Sequence, residues 1–220
     1  MIMKNKAILS ILLISAILIV DQIIKIWIKT NMMLGEEFLV FGQEWFRIHF
    51  VENNGMAFGI EMLGGSVGKL FLSLFRIVAI VAIGFFLRKL CKEQSSTFLI
   101  ICVSMVFAGA VGNVIDCIFY GVVFDTSLGH VASFLPEAGG YSTWMQGRVV
   151  DMFYFPLIDS YFPEWFPIWG GEHFLFFRPV FNFADASISV GIALLVLFSR
   201  NELSNALNSD KEPEKTTNEG

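Results

Sequence analysis

The sequence predicts an α-helical integral membrane protein with four transmembrane helices, a small extracytoplasmic β-rich subdomain and an interfacial aromatic segment. Three observations lead there. Of 220 residues, 55% are hydrophobic and only 16% are charged, a balance foreign to water-soluble domains. Four apolar runs, at about 7–27, 67–87, 98–115 and 181–198, approach the roughly 20 residues that cross about 30 Å of hydrocarbon. Between them lie one stretch of alternating β-branched and aromatic residues and another crowded with aromatics and prolines. Residues 1–200 read as a single membrane-embedded domain, and 201–220, polar and short of aromatics, as a disordered tail.

The first run follows Lys4 and Lys6 but lacks a small-x-small cleavage site, so it is expected to stay as a helix. It ends in Asp21-Gln22-Ile23-Ile24-Lys25, whose acid and base lie four apart on one helix face and can pair. Residues 38–41 and 45–51, with Gly42-Gln43 between them, read as a small hairpin. Asn53-Asn54-Gly55 then favours a turn, with side-chain amides able to orient a carboxylate. The second run carries Arg76 in its interior, a costly position whose partner the sequence does not identify. The third runs into Ala108-Gly109-Ala110-Val111-Gly112, small residues that let helices approach closely, and then into Asn113 and Asp116 on one face. The chain from Gly121 to Gly147 shows no periodicity, which marks a functional or disordered loop. Residues 153–181 hold twelve aromatics and four prolines, excluding a regular helix and favouring the membrane–water boundary.

Lys4, Lys6, Arg88, Lys89, Lys92 and Arg200 flank one set of span ends, while the long connections are poor in cations. Both termini and the link between the second and third spans are therefore expected in the cytoplasm and both long connections outside. Asp21, Lys25, Asn113, Asp116, Asp151, Asn182 and Asp185 then converge on one level at the outer face. Capping residues alone would be scattered over both ends. The net charge of −5, with no basic cluster, excludes a nucleic-acid partner. Cys91, Cys102 and Cys117 have no metal-ligand spacing, His49, His130 and His173 lie away from any nucleophile motif, and no cofactor or metal is expected. What remains is Asp151 and Asp185, carboxylates in apolar surroundings. Brought together, such a pair shares one proton, and its ionised member can activate water while the protonated one polarises a carbonyl. A carrier would show polar groups through the bilayer depth or repeated halves, and this chain shows neither. A structural subunit without chemistry is the third reading.

Five segments occur in sequence: Asp21…Lys25, Asn53-x-Gly55-x-Ala57-Phe58, Gly109-Ala110-x-Gly112-Asn113-x-x-Asp116, Val149-Val150-Asp151, and Phe181-Asn182-x-Ala184-Asp185. In them the chain resembles bacterial lipoprotein signal peptidase (signal peptidase II), a four-span aspartyl protease of the cytoplasmic membrane. The resemblance implies that Asp151 and Asp185 are the catalytic pair and that Asn53, Asn113, Asp116 and Asn182 shape the site, with Asp21, Lys25, Gly55 and Arg148 supporting it. It implies a prolipoprotein substrate with a diacylglyceryl-modified cysteine, cut just before that cysteine, and a globomycin-type cyclic peptide inhibitor. The protein is expected to act as a monomer among membrane lipids. Two departures stand out: Cys117 follows Asp116 where the family usually has Arg, and the gap from Asp116 to Asp151 is far longer than usual. Asp125, in Tyr120-Gly121-Val122-Val123-Phe124-Asp125, lies at about the usual distance and is a rival to Asp151, which the unbroken Val149-Val150-Asp151 favours.

Overall fold

A computed structural model of the chain describes residues 2–53, 66–176 and 179–208. In chain order the elements are α1 (Ile2–Asn31), β1 (Glu37–Leu39), β2 (Arg47–Asn53), α2 (Ser66–Lys92), α3 (Thr97–Ile115), α4 (Gly121–Val123), β3 (Val149–Tyr154), β4 (Ile158–Tyr161), β5 (His173–Phe176), β6 (Val180–Phe181), α5 (Phe183–Phe198) and α6 (Arg200–Asn208). A 3₁₀ turn, Val40–Gly42, joins β1 towards β2, and a π-helical turn, Asp116–Tyr120, joins α3 to α4.

Three helical stretches are long and apolar enough to cross a bilayer: Asn5–Asn31, Leu70–Lys92 and Thr97–Val123. The 16-residue α5 meets that test only together with α6, to which it is bent by 93°. Ile11, Leu12 and Ile23 of α1 and Phe71, Phe75 and Phe85 of α2 are exposed, so these helices turn apolar faces outward, as lipid contact requires. Inward, α3 packs closely on α5. A Cβ added at Gly109 would lie 2.3 Å from the Ala184 carbonyl oxygen, so only a residue without a side chain permits this crossing.

The site end of the bundle carries an antiparallel sheet of order β1-β2-β3-β6. In β2 and β3, Val51 faces Asp151 and Asn53 faces Val149, with a register irregularity between Ile48 and Val51. One sheet face buries Ile48, Phe50, Val150 and Met152 against Ile28 and Met32 of α1 and against Tyr120 and Phe124. The loop before β3 is ordered: Gly147, Met145, Ser142 and Tyr141 donate backbone N–H bonds to the carbonyls of Cys117, Ile118, Gly121 and Phe124. Gly147 passes so near Asp116 that an added Cβ would sit 2.0 Å from its carbonyl oxygen.

Two sequence expectations need correction. Residues 201–208 belong to helix α6 rather than to a disordered tail, because Leu203 and Ala206, three apart, pack against Leu87, Leu90 and Leu99. Ser96, the N-cap of α3, also donates to Glu202. Residues 209–220 lie outside the described residues. The aromatic stretch is less irregular than its prolines suggest: β4 and β5 pair as a hairpin, Ile158 opposite Phe176 and Tyr161 opposite His173. The prolines at 156, 163, 167 and 179 stay clear of these strands, where they would remove ladder hydrogen bonds.

Candidate active site

α5 begins with Asn182, whose Oδ1 accepts the Asp185 backbone N–H at 2.8 Å and caps the helix. That cap fixes the Asn182 amide, whose Nδ2 then donates to Asp151 Oδ1 at 2.7 Å and to Asn113 Oδ1 at 3.0 Å. Asn113, on the last turn of α3, donates its own Nδ2 to Asp185 Oδ1 at 2.7 Å. Two amides thus link the carboxylates of Asp151 and Asp185, which lie 34 positions apart in sequence. Asn53, at the end of β2, gives Asp151 a further side-chain hydrogen bond.

Asp151 is 2% exposed. Burial pushes its carboxyl up to about 7, the negative charge of Asp185 adds to the rise, and the bonds from Asn53 and Asn182 and the charge of Lys25 oppose it. A buried acid poised near neutrality beside a second carboxylate is suited to holding and passing a proton.

Beneath this pair lies a buried ion cluster. Lys25 Nζ is 2.9 Å from Asp21 Oδ2, 2.9 Å from Asp116 Oδ2 and 3.0 Å from Asn113 Oδ1. All three ionic side chains are fully buried. Both carboxylates also hold backbone: Asp21 accepts the Ala184 N–H at 2.9 Å on its other oxygen, Oδ1, and Asp116 accepts the Val150 N–H at 3.3 Å on the same Oδ2 that meets Lys25. Ala184 precedes Asp185 and Val150 precedes Asp151, so one cation with its two anions ties together the two backbones that carry the carboxylates.

The model for signal peptidase (SPase) II matches residues 13–200. The chain belongs to the signal peptidase II family. It is 55% identical over 207 residues to the lipoprotein signal peptidase of Porphyromonas gingivalis, covering 93% of this chain and 89% of that one. The lipoprotein signal peptidase of Amoebophilus asiaticus is 35% identical over 204 residues, 91% of this chain and 81% of its own. A bacterial membrane enzyme solved by the in meso method at 2.3 Å has a TM-score of 0.56, 26% identity and 94% coverage of each chain. The protein is therefore a membrane peptidase, which sets aside the carrier and structural-subunit readings.

Of the supporting residues read from the sequence, Asp21, Lys25, Asn53, Asn113, Asp116 and Asn182 lie in this peptidase's polar network, and Gly55 lies outside the described residues. Arg148 goes elsewhere. Its Nη1 donates to Glu52 Oε2 at 2.9 Å, and its guanidinium lies 5.2 Å from the Tyr141 ring centre. Asp125 is held in its own loop, where it accepts the Ser133 N–H at 2.7 Å and faces His130 at 3.5 Å. The Ser133 bond keeps its carboxyl below the usual range. Asp125→Asn is expected to leave signal-peptide cleavage unchanged, and loss of cleavage in that variant would restore it as a rival to Asp151.

Sequence reasoning assigned no role to Gln22, Lys29 or Glu52. Gln22 donates to Asp116 Oδ1 at 3.0 Å and accepts from Tyr120 Oη at 3.1 Å, filling the remaining polar valences beneath the pair. The signal for Gln22 was its place between Asp21 and Lys25. Lys29, one further turn along α1, is buried, ion-paired with Glu52 and 2.8 Å from Ser127 Oγ. Neighbouring cations hold the Glu52 carboxyl below its usual range even though burial, the largest influence, pushes it up. The interior cation Arg76 finds the thiol of Cys117, with Nη1 to Sγ at 3.2 Å.

Proposed function

We propose that this peptidase removes the signal peptide from diacylglyceryl-modified prolipoproteins, cutting just before the lipidated cysteine, with Asp151 and Asp185 as its catalytic pair. The observation that carries the reading is the amide-bridged pair itself: the two carboxylates are linked through Asn182 and Asn113, and the Asp151 carboxyl is pushed up to about 7. In the proposed reaction Asp185 takes a proton from water as the water oxygen bonds to the scissile carbonyl carbon. Asp151 donates its proton to the developing oxyanion. Collapse of the tetrahedral intermediate breaks the C–N bond: Asp185 passes its proton to the departing amine while Asp151 takes one back from a hydroxyl of the intermediate, which leaves as the carboxylic acid. Asn113 and Asn182 hold both acids at a fixed separation through these steps. No metal or cofactor is assigned a part.

Residues 1–200 are read as one peptidase unit, acting as a monomer in the inner membrane with both termini cytoplasmic and the pair at the outer face. The support is the cation distribution and the sheet's position at one end of the bundle, where α1 and α3 end and α5 begins. A globomycin-type cyclic peptide is proposed to occupy the same site.

Purified protein in bilayers with a lipid-modified prolipoprotein tests this. The mass of the released fragment is expected to place the cut before the modified cysteine, and a cut elsewhere overturns the assignment. The pH dependence is part of the test. The pair needs the Asp151 proton, which is present below about 7 and lost above it, so kcat/KM is expected to fall on the alkaline side, by about tenfold per pH unit once titration is complete. An alkaline limb that stays flat to pH 9 would remove Asp151 from the role of acid.

A further inference from the structure

Three extramembrane turns hold a bulky apolar residue where backbone geometry and water both disfavour it. Phe41, in the β1–β2 turn, has φ 53° and is 92% exposed. Leu135, in the loop between α4 and β3, has φ 51° and is 65% exposed. Ile168, in the β4–β5 turn, has φ 79° and is 86% exposed. For side chains with a Cβ the left-handed region is costly, and for a β-branched residue such as Ile it is a genuine outlier. Glycine is available to these same loops: Gly42, Gly139 and Gly171 adopt positive φ beside them. Large apolar side chains at such turn positions lose twice in water, once in the backbone and once through hydration, and the second cost disappears if they enter lipid.

The topology places these tips at the same end of the bundle. The loops spring from the C-terminal ends of α1 and α3 and run into the N-terminus of α5, so all three emerge at one end of the bundle. The β4–β5 turn adds exposed Trp165 and Trp169, the side chains that favour the membrane–water boundary. Residues 155–176 contain no Lys or Arg. At the base of this hairpin, Phe155 stacks on Phe46 at 4.7 Å and on Phe181 at 5.7 Å. Phe181 is followed by the cap of α5, so these stacked rings lead from the hairpin to the start of that helix.

We propose that Phe41, Leu135 and Ile168 are three lipid-docking tips, which enter the bilayer leaflet at the site end of the bundle and hold the sheet flat against it. The occupant is the acyl and glycerol region of that leaflet, not a second protein. On the peptidase reading, this docking sets the depth at which Asp151 and Asp185 meet a lipid-attached peptide.

The test uses full-length protein in phosphatidylcholine vesicles. Tryptophan is placed singly as Phe41→Trp, Leu135→Trp or Ile168→Trp, with the five natural tryptophans changed to Phe. Each reporter is expected to be quenched severalfold more by lipids brominated near the glycerol than by aqueous iodide. Quenching by iodide with little effect of brominated lipid would put the tips in water and overturn the proposal. Protection from both quenchers would mean that protein covers them and would also overturn it, as would lipid quenching at a single tip alone. If the tryptophan-poor background does not fold, the wild type is compared with the Trp165→Phe/Trp169→Phe protein. The emission lost must then be sensitive to brominated lipid and insensitive to iodide; the reverse sinks the proposal. None of these readouts requires cleavage, and they can be repeated in Asp185→Asn. Failure of lipid docking is therefore distinguishable from failure of the catalytic assignment.

Discussion

Asp185→Asn and Asp151→Asn are each expected to lower kcat for prolipoprotein cleavage by about three orders of magnitude or more, since on the proposed mechanism either removes one half of a proton-transfer pair. The losses should not add, because a pair that works as a unit is already disabled by one change. The two variants should differ in stability. In the folded protein the Asp151 carboxyl titrates near 7, whereas an unfolded Asp titrates at about 4. Below about 4 both states are protonated and folding stability is unaffected. Between the two values the unfolded chain is ionised while the native one still holds its proton, so stability falls as pH rises, and the full cost is present above 7. A shift of this size corresponds to roughly 4 kcal/mol at most. Asp151→Asn carries no such cost and is expected to melt a few degrees higher than wild type at pH 8, with no gain at pH 4. An inactive Asp151→Asn that melts lower than wild type at pH 8 would mean that its carboxylate is a structural anchor. Residual cleavage within tenfold of wild type in either variant would sink the proposed mechanism.

Much of this site was legible because polar residues stand out against apolar runs. Asp21 and Lys25, four apart in a membrane helix, needed each other, and they pair at 2.9 Å. Asn182 three residues before Asp185 has the spacing of a helix cap, and it is one. The hidden parts depend on contacts that local pattern does not encode. Residues 125–147 lack periodicity because much of their order comes from hydrogen bonds to the backbone of residues 117–124, not from a strand or helix of their own. Lys29 finds Glu52 across 23 positions, and Arg148 reaches the same carboxylate from β3's approach, so neither partner was readable. Helix α6 is nine residues long in a polar setting, and only the groove offered by Leu87, Leu90 and Leu99 gives Leu203 and Ala206 somewhere to go.

Lys25→Met is expected to have the largest effect on stability. The substitution keeps length and apolar volume, so packing changes little, but it strips the shared cation from Asp21 and Asp116. Two carboxylates would then face each other across a site with no exposed surface, and breaking a buried ion pair in this way costs about 3–5 kcal/mol. Protonation can relieve part of that cost, at the expense of the acceptor geometry that the Ala184 and Val150 N–H groups require. Since those two groups precede Asp185 and Asp151, loss of the cation should loosen the backbone at both acids even in molecules that remain folded. The triple variant Asp21→Asn/Lys25→Met/Asp116→Asn separates the two effects. It removes the charges together and is expected to recover most of the melting temperature lost in Lys25→Met, because amides retain the acceptor oxygens without the unpaired charge. Its activity should recover less, since weaker neutral hydrogen bonds hold the strand and the helix start less firmly. If Lys25→Met melts like wild type, the cluster is not what fixes the separation of the two acids. That task would then fall to Asn113 and Asn182 alone.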